Sequence, residues 1–104
     1  MSRVEEILKM MKTDPKDSFL RYALALEYEK SGDLKLVIDC IESLLKDDPN
    51  YLGAYYKLGQ LYEVKDDLDT AEEIYKKGIV LAEAKKDNKT KGELEEALWL
   101  IEDE

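Results

Sequence analysis

A chain of 104 residues with 44% hydrophobic and 39% charged types has enough apolar material for one core under a heavily charged surface, which excludes general disorder. The balance of 16 Lys and Arg against 25 Asp and Glu leaves a formal net charge of -9, which repels a phosphate backbone and favours a neutral or basic protein as partner over nucleic acid. With no histidine, a single cysteine, no Gly-x-Gly-x-x-Gly loop and no run of about 20 apolar residues, neither catalysis, a metal, a cofactor nor a membrane span is expected.

The first element is a helix over 3–12, where Val4, Ile7, Met10 and Met11 fall three and four apart. Its start, Ser2-Arg3-Val4-Glu5-Glu6, carries acids where a secretory leader is basic and then apolar. Together with an unpaired Cys40 this makes the cytoplasm the expected location. Asp14-Pro15 ends the helix, and the proline fits the first turn of the next, over 16–30, with Leu20, Ala23, Leu24 and Tyr28 on its apolar face. Ser31-Gly32-Asp33 supplies a left-handed glycine and an acidic N-cap, and a third helix follows over 34–46.

Asp48-Pro49 repeats the earlier break after 34 residues, and the fourth helix spans 50–64. Asp66-Asp67 closes it. Asp66 stands where Gly32 stood, so a positive φ on an aspartate and a looser turn are expected. The fifth helix covers 68–86 and the sixth 91–102, the latter opened by a Thr90-x-x-Glu93 capping box and directed inward by Leu94, Ala97, Leu98 and Ile101. Glu93, Glu96, Glu102, Asp103 and Glu104 keep its outer side wet. All connections are short, so sequential helices should pack antiparallel as stacked hairpins and not as a closed bundle.

The 34-residue shift superposes Tyr22 on Tyr56, Leu24 on Leu58, Tyr28 on Tyr62, Glu29 on Glu63 and Asp33 on Asp67. Taken backwards it places Val4 and Ile7 on Ile38 and Ile41. The chain therefore reads as one domain over 1–104: an N-terminal half-repeat helix at 1–13, repeats at 14–49 and 50–86, and a terminating helix at 87–104.

These residues resemble the tetratricopeptide repeat, whose signature runs Trp-x2-Leu-Gly-x2-Tyr, Ala-x3-Phe, Pro. The second unit reads Tyr55-x2-Leu58-Gly59-x2-Tyr62, then Ala71-x3-Tyr75, with Gly78 at the next small position. The first reads Arg21-x2-Leu24-Ala25-x2-Tyr28, then Val37-x3-Ile41, then Pro49, and its bulkier Val37 and Leu44 imply wider helix spacing. The resemblance implies an all-α fold, a right-handed stack of antiparallel helix hairpins, with about six helices here. It also implies a non-catalytic module that binds a peptide or protein segment in a concave groove lined by the first helix of each hairpin. By repeat register the groove residues are Phe19, Tyr22 and Leu26, then Tyr56, Lys57 and Gln60, with Ala23, Glu29, Gly53 and Glu63 beside them. The Lys and Asn pattern that clamps a chaperone-tail carboxylate in some members is missing.

The alternative is a structural or self-assembly role, a homodimer meeting through the groove or the apolar ends. Trp99, on a flank of the last helix, is expected to be at least half covered, as large tryptophans usually are. Cys40 lacks a polarising neighbour and reads as an inert thiol. Lys76, Lys77, Lys85, Lys86, Lys89 and Lys91 form a basic corner that offsets helix C-terminal dipoles and nearby acids.

Overall fold

The computed structural model describes residues 2–102, so the acidic end expected at Asp103 and Glu104 lies outside the described residues. Among the described residues the regular structure is entirely helical: α1 Arg3–Thr13, α2 Ser18–Lys30, α3 Leu34–Asp47, α4 Gly53–Val64, α5 Leu68–Lys85 and α6 Asn88–Glu102. None of these helices is long and apolar enough to cross a membrane. The chain divides into two compact units between Pro49 and Asn50. In the first, α2 packs against both α1 and α3; in the second, α5 packs against both α4 and α6.

Local chemistry accounts for the helix ends. Asp14 and Asp48 leave the helix at φ -140° and -136°, because the proline that follows each one excludes the helical conformation from the residue before it. Pro15 and Pro49 consequently lie in the turns between helices and not in a first helical turn, and α2 and α4 begin three and four residues later than each proline. Aspartates then start most of the helices. Asp17, Asp33 and Asp67 accept from the backbone N–H groups of Leu20, Leu36 and Thr70 at 2.9, 3.1 and 3.2 Å. The hydrogen bonds from Thr70 hold the Asp67 carboxyl below its usual range.

The sixth helix starts earlier than the capping box suggested. Asp87, not Thr90, accepts the orphan amide: the Thr90 N–H donates to Asp87 at 3.0 Å and the Thr90 hydroxyl donates to its second oxygen at 2.8 Å. The aspartate three residues before the threonine caps as an anion at a helix N-terminus, so the helix begins about one turn earlier. Glu93 is thereby released from any capping role.

Positive φ occurs at Gly32 (85°), as expected, and also at Asp66 (63°) and Lys86 (57°). The turn at Asp66 is not loose. The Asp67 N–H donates to the Tyr62 carbonyl and the Asp66 N–H to that of Glu63, both at 2.9 Å, and Asp87 and Lys86 repeat the pattern onto Ala82 and Glu83 at 2.9 and 3.1 Å. Asp67 and Asp87 thus each finish one helix and cap the next, which is why both turns can be so short.

In the first unit the buried side chains are Ile7 of α1, Leu24 and Ala25 of α2, and Val37, Ile38, Ile41 and Leu44 of α3. In the second, Leu52, Ala71, Tyr75, Ala82, Leu94, Ala97 and Ile101 form one core cluster, with Tyr56, Tyr62 and Leu98 packed on it. A Cβ added at Gly78 would stand 3.0 Å from both Leu94 and Tyr55, so the small residue lets α5 approach its neighbours on either side. Trp99 departs from expectation, for it is 61% exposed. It is two residues from both Ala97 and Ile101, about half a turn round the helix from the face that packs on α5, so the registry that buries those residues turns the indole outward.

Candidate functional site

The second unit holds a concavity of about 280 Å³, bordered by Tyr56, Gln60 and Glu63 of α4, Glu93, Glu96, Ala97 and Leu100 of α6, and Tyr75 of α5. Each wall is a helical stripe. Residues 56, 60 and 63 are spaced four and three apart, and residues 93, 96, 97 and 100 follow the same i, i+3, i+4, i+7 rule.

Tyr75 fixes the floor. It has no exposed surface, its hydroxyl donates to the Glu63 carboxylate, and its ring stands 6.2 Å from that of Tyr56 with the planes tilted by 50°. Room for the ring comes from Gly59, where an added Cβ would fall 2.2 Å from Tyr75 Cε1. The Gly59 of the repeat signature therefore places an aromatic ring and, through its hydroxyl, orients a carboxylate.

Burial, reinforced by the neighbouring Glu63, pushes the Tyr75 hydroxyl above the usual tyrosine range and keeps it protonated as a donor. Above pH 10.0 the unfolded chain releases this proton while the fold retains it, so stability present below that pH is lost as pH rises further. Tyr75→Phe removes the titrating hydroxyl together with its bond to Glu63. The stability gap between wild type and Tyr75→Phe, measured by urea unfolding, should narrow by about 1 kcal/mol from about pH 9 to about pH 11.

The concavity is acidic. Glu63, Glu93 and Glu96 contribute to its border and no lysine or arginine does. Two acids elsewhere on the unit are paired, Glu72 with Lys76 at 2.7 Å and Glu83 with Lys91 at 3.0 Å. The Lys85 ammonium reaches the Asn50 carbonyl at 2.8 Å, so three lysines of the basic corner, Lys76, Lys85 and Lys91, have internal partners.

Of the expected groove residues, Tyr56 and Gln60 meet in this concavity and Lys57, half-buried on α4, lies outside its border. Phe19, Tyr22 and Leu26 lie on α2 in the first unit. Phe19 is 66% exposed, whereas Tyr22 and Leu26 are half-buried. The first unit has its own concavity of about 280 Å³, lined by Met11, Arg21, Leu24, Asp39, Cys40 and Ser43 and by none of those three. There Arg21 donates to Asp47 and Ser43 at 2.9 and 3.0 Å. Burial first, and then Asp39, pushes the Cys40 thiol up, which leaves it protonated and a poor nucleophile.

The sequence pattern missed Glu93, Glu96 and Leu100 as site residues. Their signal was the stripe they share with Ala97, obscured because the acids read as a solvated outer face.

No family model matches the sequence. A TPR repeat-containing protein of Methanocaldococcus jannaschii is 32% identical over 75 residues; the match covers 72% of this chain, which spans only 23% of that relative. A tetratricopeptide repeat domain protein from Salinibacter ruber is 40% identical in two solved structures. Its solution structure has a TM-score of 0.82, with 86% of this chain and 90% of that one covered. Its crystal structure has a TM-score of 0.79, with 83% and 97% covered. A Bordetella parapertussis protein, 21% identical, shares the fold with a TM-score of 0.83 over 97% of this chain and 88% of its own. The helix hairpins, the Leu58-Gly59 and Ala71-x3-Tyr75 signature at their contact, and the near-complete overlap with the Salinibacter domain agree, and the chain belongs to the tetratricopeptide repeat family.

Proposed function

We propose that the chain is a non-catalytic module that binds a peptide or protein segment, with Tyr56 and Gln60 as anchors in the second unit. Lys57 beside them, and Phe19, Tyr22 and Leu26 in the first unit, extend the contact. The family fold supports an interaction or scaffold role in general. The finer reading rests on one observation: an aromatic, partly apolar concavity of about 280 Å³ whose polar border sits on two helices. A half-buried tyrosine offers a partner a large ring with little rotamer entropy left to lose, which suits it as an anchor.

Selection of random 12-residue segments displayed on phage tests the proposal. Enriched segments should bind Tyr56→Ala about tenfold or more weakly, at unchanged helicity by circular dichroism. Segments that bind wild type, Tyr56→Ala and Gln60→Ala alike would remove the concavity from the function. A dimer in sedimentation that dissociates on Tyr56→Ala would replace a foreign client by a second copy.

A further inference from the structure

We propose that the concavity of the second unit receives the guanidinium of an arginine in the bound segment, an inference that rests on the binding role just proposed. Four features of the walls support it. Glu93 and Glu96 border the space with no ion pair or hydrogen bond to any described residue, unlike Glu72 and Glu83, which hold Lys76 and Lys91. Glu63 faces them from α4, its carboxylate already oriented by the Tyr75 hydroxyl. The Tyr56 ring lies at the same border, and a cation over a tyrosine face is attracted by the ring quadrupole. Leu100 supplies an apolar surface for the methylene stem that carries such a head group.

The spacing of the acids selects among cations. Among the described residues no three His, Cys, Asp or Glu side chains are grouped to hold a metal ion, which leaves an organic cation as the match for this acidic border. Of the two side-chain cations the guanidinium suits an aromatic, partly apolar wall better: it is planar, carries five donors in a fixed fork, stacks on aromatic rings and sheds water more readily than an ammonium. The net charge of -9 adds a field that draws any basic segment toward the domain.

Four blocked octapeptides, identical except for Arg, Lys, citrulline or Glu at the centre, supply the probes. Each is titrated into the 15N-labelled protein at low salt, with the amides of Tyr56, Gln60, Glu63, Glu93 and Glu96 followed. The Arg peptide should shift these amides and bind tightest, about tenfold ahead of citrulline, which keeps the shape and loses the charge. Glu93→Gln with Glu96→Gln, both on exposed positions, should weaken the Arg peptide by about tenfold and leave the citrulline peptide unchanged. Equal binding of Arg and citrulline, or Lys as tight as Arg, overturns the guanidinium. If those neutral or lysyl peptides still shift the same amides, the binding role stands without it. If none of the four moves them, both fall.

Discussion

Gly59→Ala is expected to destabilise the second unit by about 3 kcal/mol or more, seen as a lower urea midpoint by circular dichroism. Alanine is the better helix former by about 1 kcal/mol, so on backbone grounds alone the substitution inside α4 should be favourable. Packing reverses the sign. The new methyl would sit 2.2, 2.6 and 2.7 Å from Cε1, Cζ and Cδ1 of Tyr75, and that ring is fully buried, held by its bond to Glu63 and its packing on Tyr56. Gly92→Ala isolates the backbone effect, because a Cβ there meets nothing within 4 Å and α6 should gain about 0.5–1 kcal/mol. A Gly59→Ala protein as stable as wild type would mean that α4 and α5 are farther apart than described.

Tyr75→Ala should cost about 3–5 kcal/mol, the range for truncating a fully buried aromatic side chain. Three losses combine: the ring's burial, its tilted packing on Tyr56, and the donor that holds Glu63. Adding Gly59→Ala to Tyr75→Ala should cost less than the two separate effects together, since the methyl then enters space the ring has vacated. Strict additivity would show that the glycine and the tyrosine do not share a contact. Because this ring floors the concavity, Tyr75→Ala should also abolish segment binding even at temperatures where the helices persist.

The repeat made most of the fold legible. Tyr22 with Tyr56, Asp33 with Asp67 and Asp14-Pro15 with Asp48-Pro49 each fix a phase, and the six helices lie within three residues of the spans their periodicity indicates. Register failed where the period failed. The fifth helix has 18 residues against 14 in α3, so the copy of the hairpin turn falls at Lys86 and Asp87, where neither a glycine nor a repeated dipeptide marks it. The left-handed Lys86 is stabilised by the bonds that close the turn, and such tertiary support is invisible in residue preferences. The site was half legible for a related reason. Tyr56 and Gln60 follow from repeat register, whereas Glu93 and Glu96 belong to a helix outside the 34-residue phase and meet α4 only after folding. Tyr75 appears in the signature as a packing residue, and nothing in its spacing announces that its hydroxyl would reach Glu63.

The outward Trp99 also determines how the molecule can be watched. It is the one indole among seven tyrosines and a single phenylalanine, and it lies on the solvent side of the last helix. At 61% exposure its emission should already lie close to that of an indole in water before any denaturant is added, so it should change little when the core opens. The tyrosine signal, with Tyr75 sealed inside, is the optical channel that follows the unit as a whole.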